Sequence, residues 1–147
     1  MILFPPLCRL RTGRFCGDPA GYACSCLADG ATEKLSRRAA SAIRTARAGD
    51  GLAISDITLW ELAFLFSRGI LRSHGTVENT IQSFLTRTGV NLRPITAEVA
   101  ALAMQFPESY PKDPVDRLIG ATARAEGLAL VTRDEMIRNS PLLKTIW

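Results

Sequence analysis

From Leu35 onward, hydrophobic and polar positions fall into regular patterns. Leu35, Ala39, Ala42, Ile43 and Ala46 share one helical face with arginines opposite, and the Gly49–Gly51 run ends that helix. Leu52-Ala53-Ile54 reads as a short buried strand, and Ser55 is placed to start the next helix. From Ile57 to Phe66 the chain is apolar nearly all round, broken only by Thr58 and Glu61. A helix that is apolar on every side is buried. Thr76–Thr88 predicts a surface helix with Val77, Ile81, Phe84 and Leu85 inward. Asn91–Ile95 predicts a strand, which Pro94 assigns to a sheet edge or a strand end. Thr96 caps a helix over Ala97–Phe106, and Pro107 stops it. Asp113 caps another, because Pro114 suits the first helical position, where its missing N–H has no partner to lose. Gly120, Ala121, Ala123 and Ala125 keep that helix thin, so a neighbouring element can approach closely. Gly127 then turns the chain into Leu128–Thr132, a continuous apolar run of the kind buried on both faces of a parallel sheet. Helices alternating with short buried strands mean an α/β domain with a mainly parallel sheet.

Composition adds little to this picture until the first third of the chain is set apart. At 147 residues, with 47% hydrophobic and 22% charged, the chain suits one globular domain with a proper core. No apolar run is long enough to span a membrane. Pro5 and Pro6 interrupt the only apolar start, so no signal peptide is predicted and a cytoplasmic location is expected. The net charge of +4 is uneven: residues 1–47 hold eight Lys and Arg against three Asp and Glu, and the remainder ten against eleven. That basicity gives weak support to a polyanionic partner. Cys8, Cys16, Cys24 and Cys26 all lie early, at spacings that do not make a zinc pattern, and are expected as free thiols. His74 falls in a loop and is assigned nothing. Between residues 1 and 32, prolines and glycines leave only Met1–Phe4 as a strand and Tyr22–Ala28 as a turn or two of helix.

The acids carry the chemistry. Asp116 lies in the first turn after the Asp113 cap, and Asp134 just past the apolar strand. A helix of about twelve residues rises ~18 Å and a five-residue strand returns ~17 Å, so Asp116 and Asp134 should meet. Glu61 follows another strand directly, and in a parallel sheet it shares their edge. Two readings of Glu61 stand side by side. Thr58-Leu59-Trp60-Glu61 fits a capping box. Alternatively, Glu61 faces a polar cavity where a cation offsets the cost of burying its charge. Three acids converging beyond the carboxyl ends of the strands lie where open α/β sheets bind ligands. Oxygen ligands favour Mg²⁺ or Mn²⁺ over zinc, and such an ion can supply a bound hydroxide for phosphodiester hydrolysis.

Leu52-Ala-Ile-Ser-Asp-Ile-Thr-Leu-Trp-Glu61, Asp113-Pro-Val-Asp116-Arg-Leu-Ile-Gly-Ala-Thr-Ala and Leu130-Val-Thr-Arg-Asp134 together resemble the PIN-domain nucleases. More narrowly, they resemble the VapC-type toxins of bacterial toxin–antitoxin pairs. The resemblance runs from about Leu27 to Trp147, leaving residues 1–26 as a divergent N-terminal segment. It implies a PIN-like three-layer α/β/α fold with a short, mainly parallel sheet. It also implies Mg²⁺-dependent endoribonuclease activity, a cytoplasmic homodimer and inhibition by a cognate antitoxin. By position, Glu61, Asp116 and Asp134 become the acidic catalytic and metal-site residues, with Asp113 and Arg133 supporting them.

One departure is pronounced. The family's first strand ends in Asp-Thr, and that Asp is a principal metal ligand. Here Met1-Ile2-Leu3-Phe4 resembles the strand, yet Pro5 stands in the acid's place, and Asp18 is the only acid nearby. The first strand is therefore read as altered or missing. The abrupt return to family pattern at Leu27 predicts that residues 1–26 come from a displaced or misassigned reading of the gene. Another frame of the coding DNA should then encode a strand ending in Asp-Thr; its absence from every frame overturns the idea. Two functions stay open: an active metal-dependent ribonuclease, or an impaired PIN domain that still binds its antitoxin and dimerises. An unrelated α/β binding domain is the third reading.

Overall fold

The computed structural model describes residues 2–3, 35–71 and 75–147, with side chains described from residue 35 onward. Tyr22–Ala28, the four cysteines, Asp18 and His74 lie outside the described residues.

Five strands form one parallel sheet: β1 (Ile2–Leu3), β2 (Ala53–Ser55), β3 (Asn91–Arg93), β4 (Leu130–Val131) and β5 (Thr145–Ile146), in the order β3-β2-β1-β4-β5. Ile2–Leu3, within the stretch Met1–Phe4 read from sequence as a short strand, thus forms the central strand of the sheet. Ile2 pairs with Ala53 on one side and Leu130 on the other. β3 lies at the edge, where Pro94 just beyond it loses no ladder hydrogen bond.

Strand alternation divides the core between two faces. Ala53 and Leu130 pack with Val99, Ala103, Phe106, Tyr110, Val115, Ile119 and Ile137 on one face. Ile54 and Val131, one residue on, pack with Ala39, Leu62, Leu65, Phe66 and Phe84 on the other. The first face is covered by α4 (Ala97–Met104), α5 (Pro114–Ala125) and α6 (Glu135–Arg138). The second is covered by α1 (Arg37–Ala48), α2 (Ile57–Ser67) and α3 (Val77–Thr88). This is a three-layer α/β/α fold.

The helix starts follow their caps. Ser36, Thr76, Thr96 and Asp113 each accept a hydrogen bond from a backbone N–H in the first turn of the helix they open. α2 is the exception. Its N-cap is Asp56, in helical conformation and without a side-chain cap bond, and Thr58 lies inside the helix. The Thr58–Glu61 capping box therefore does not form. β2 extends to Ser55 and α2 begins at Ile57, which leaves no extended residue at position 58 to act as a cap. Ser55 likewise closes a strand instead of opening a helix. Among the described residues, no helix is long and apolar enough to cross a membrane.

Candidate functional site

In a parallel sheet every strand ends at the same edge, and every crossover helix begins or ends there. Residues following β2 and β4 therefore share one edge with the N-terminus of α5, which runs back antiparallel to the strands. Glu61, Asp113, Asp116, Arg133 and Asp134 all belong to these segments.

Asp113 is the N-cap of α5, and its Oδ1 accepts a hydrogen bond from the Val115 N–H at 2.9 Å. Asp116 lies half-buried in the first turn, where the helix dipole favours negative charge. Asp134 is exposed and caps α6, with Oδ1 accepting from the Ile137 N–H at 3.0 Å. Its own N–H donates to Thr132 Oγ1 at 3.1 Å, which fixes the turn that leaves β4. Arg133 is exposed beside it. Glu61 is 7% exposed, one turn into α2.

Tyr110 is buried against the first turn of α5. Its hydroxyl is pushed above the usual phenol range, first by burial, then by the Asp116 carboxylate and then by Asp134, with Arg117 opposing. The charges of both Asp116 and Asp134 thus reach one buried hydroxyl. That hydroxyl donates to the Asp116 backbone carbonyl at 3.2 Å. Tyr110 also stacks on Phe106, with ring centroids 4.0 Å apart. Arg117 fastens the same loop from the next position on α5. Its guanidinium donates to the carbonyls of Pro111 at 3.0 Å, Phe106 at 3.1 Å, and Ala103 and Pro107 at 3.3 Å. The Ala103 carbonyl lies in the last turn of α4, so the cation also meets the negative pole of that helix.

A second polar group lies beneath the edge. Ser55, at the end of β2, shares a buried hydrogen bond of 3.0 Å with Thr122, whose hydroxyl also reaches the Leu118 carbonyl at 2.8 Å. The Thr58 hydroxyl, 2% exposed, has no hydrogen-bond partner among the described residues. It precedes Glu61 by three residues, on the same side of α2.

The donor chemistry fits a hard divalent cation: every candidate is a carboxylate or hydroxyl oxygen, and Thr58 offers one oxygen still to be satisfied. The number of acids is a separate matter. Among the described residues, no group of three His, Cys, Asp or Glu side chains lies close enough to hold a metal ion. Asp116 and Asp134 share an environment; Glu61 does not complete a trio with them. Tyr110, Thr58 and the Ser55–Thr122 pair were not singled out as site residues from sequence. Only Gly120 hinted at them, by predicting close approach to α5.

Comparison with known proteins places this geometry. The PIN domain family model matches residues 25–141. Ribonuclease VapC22 of Mycobacterium tuberculosis is 37% identical over 119 residues, covering 78% of this chain and 86% of that protein. VapBC2 of Rickettsia felis, solved bound to a DNA fragment from its promoter, superposes with a TM-score of 0.62 at 18% identity, covering 99% of this chain and 97% of that one. A toxin–antitoxin complex from Klebsiella pneumoniae superposes with a TM-score of 0.51 at 21% identity, covering 76% and 87%.

Proposed function

This chain belongs to the PIN-domain family, among its VapC-type members, and we propose that it is the toxin of a toxin–antitoxin pair, an Mg²⁺- or Mn²⁺-dependent endoribonuclease. The observation that supports the reading is the placement of Asp116, in the first turn of α5, and Asp134, just past β4, at one edge of a parallel sheet in a chain that the PIN family model matches. Carboxylates at one sheet edge are stabilised by a cation beside them. Asp116 and Asp134 are the residues that would hold it.

A bound divalent ion would supply an activated water and stabilise the charge that develops on a cleaved phosphodiester. The chain's own residues prepare the place. Asp113 and Pro114 set the first turn of α5, which fixes the direction of Asp116. Tyr110, kept protonated, holds the carbonyl of the same residue. Thr132 and the α6 cap orient Asp134. Arg117 keeps the intervening loop against α5, so that neither Tyr110 nor Asp116 drifts. RNA is the proposed substrate, the cognate antitoxin the proposed partner, and a cytoplasmic homodimer the proposed assembly; the toxin–antitoxin complex among the structural neighbours supports the partner.

A second reading is favoured by a specific observation. No three-acid group is present among the described residues, and the sequence holds no Asp or Glu before Asp18. An impaired PIN domain that binds its antitoxin without cutting RNA answers to both facts. Incubating the purified chain with total RNA separates the two. The active reading expects cleavage in Mg²⁺ or Mn²⁺ that stops when EDTA is added. No cleavage at all leaves the impaired domain, and cleavage that is indifferent to EDTA overturns the metal-dependent reading.

A further inference from the structure

α2 reverses the usual arrangement of an amphipathic helix at one point. Trp60 is 58% exposed while its neighbour Glu61 is 7% exposed. The indole is not loose. It stacks on Phe64 one turn along, with ring centroids 5.9 Å apart and an interplanar angle of 21°. Arg68, one turn further, lies over the Phe64 ring with its guanidinium carbon 5.3 Å from the centroid. Residues 60, 64 and 68 form a single row at i, i+4 spacing, covering about 12 Å of helix. Trp60 is its N-terminal member and Arg68 its C-terminal one. Phe64 is thus flanked on both sides, and the exposed end of the ladder is the Trp60 face turned toward the start of α2. That end lies just past the finish of β2.

We propose that Trp60 is a stacking platform for a nucleobase of single-stranded RNA, with Phe64 bracing the indole and Arg68 supplying the cation for the adjoining backbone. The proposal rests on the ribonuclease reading and names where its substrate is gripped. The chemistry favours a base over a protein helix. A single flat ring with one open face matches one planar base. A docking helix would need further apolar side chains along the row, and beyond Phe64 it carries only exposed Ser67 and Arg68. Aromatic stacking and a nearby cation are also the sequence-tolerant grip of single-strand binders. The position is suited to the task as well, because Trp60 lies in the first turn of the helix that follows β2, at the end of the sheet from which ligand-binding residues project.

Trp60 can be isolated optically by Trp147→Phe, since the chain has two tryptophans. The probe is a ten-nucleotide RNA of mixed sequence, titrated in EDTA so that binding is read without cleavage. Binding is expected to quench the Trp60 emission, and the duplex of the same sequence to quench it far less. Trp60→Ala is expected to weaken binding about 5- to 100-fold, read by anisotropy of labelled RNA. Trp60→Phe should keep most of the affinity, and Trp60→Leu, apolar but not flat, should not. Arg68→Gln should lower the salt dependence of binding by about one phosphate contact. Equal affinity of the Ala and parent proteins overturns the stacking platform while leaving the ribonuclease reading intact. Equal loss in Trp60→Ala of binding to single strand and duplex also overturns it. Failure of the parent chain to bind either RNA removes both proposals.

Discussion

Gly120→Ala is expected to destabilise the protein by about 2 kcal/mol, although alanine is the better helix former. A Cβ at position 120 would overlap the Tyr110 hydroxyl and come within 3.1 Å of both Tyr110 Cζ and Phe106 Cζ. The far end of an exposed side chain would swing away at little cost. Tyr110 cannot: it is 1% exposed, stacked on Phe106, and hydrogen-bonded to the Asp116 carbonyl. Alanine therefore pushes the whole 106–110 loop off α5, and overpacking of this kind outweighs the gain in helix propensity. Thermal unfolding should show a melting temperature lower by about 6 to 8 °C. The double variant Gly120→Ala with Tyr110→Phe checks the cause. Tyr110→Phe alone should cost about 1 kcal/mol for the lost hydrogen bond. If the hydroxyl is the obstacle, the double variant is more stable than the two single losses added together. Simple additivity would mean that Gly120 is needed for some other reason.

That contact also indicates how much of the site was legible before the fold was known. The thin face of α5 announced a close neighbour, but nothing in residues 107–111 identified Tyr110 as that neighbour. Its flanking prolines mark a loop, and hydrophobic periodicity assigns no burial to a loop residue. Asp113 and Pro114 were legible in full, because capping is a local preference written in two adjacent residues. Asp134 was legible as an acid beyond a strand, yet not as a cap, since the helix it opens is only four residues long and too short to show a period. β5, two residues long, escaped for the same reason. Glu61 was read as a buried acid in an apolar helix just past a strand, and its burial is found; the capping box failed because strand and helix boundaries, which local motifs do not fix, leave Thr58 inside the first turn. The central strand is the sharpest contrast. Ile2–Leu3 has the apolar character of a strand, but its place between β2 and β4 depends on pairing partners about fifty and more than a hundred residues away.

Neutralising the paired carboxylates should separate function from stability. Asp116→Asn keeps the size of the side chain and the helix around it, and removes one of the two charges that act on Tyr110. Loss of a supporting group around a metal costs about 10- to 100-fold, and loss of a direct ligand should cost at least the upper end of that range. Divalent-dependent RNA cleavage by Asp116→Asn is therefore expected to fall by about 100-fold or more. The melting temperature without metal should fall by no more than about 4 °C, since a charge lost from the first turn of a helix is worth about 0.3 to 1 kcal/mol. Asp134 has a second duty as the cap of α6, which asparagine can also perform. Asp134→Asn should then lose cleavage as Asp116→Asn does while keeping its stability, whereas Asp134→Ala should lose about 1 kcal/mol in addition. Calorimetric titration with Mn²⁺ gives the reading that activity alone cannot. Weaker Mn²⁺ binding in both asparagine variants, at unchanged fold, assigns the two carboxylates to the ion. Unchanged Mn²⁺ binding in either variant removes that residue from the set, and cleavage that survives both overturns the carboxylate site.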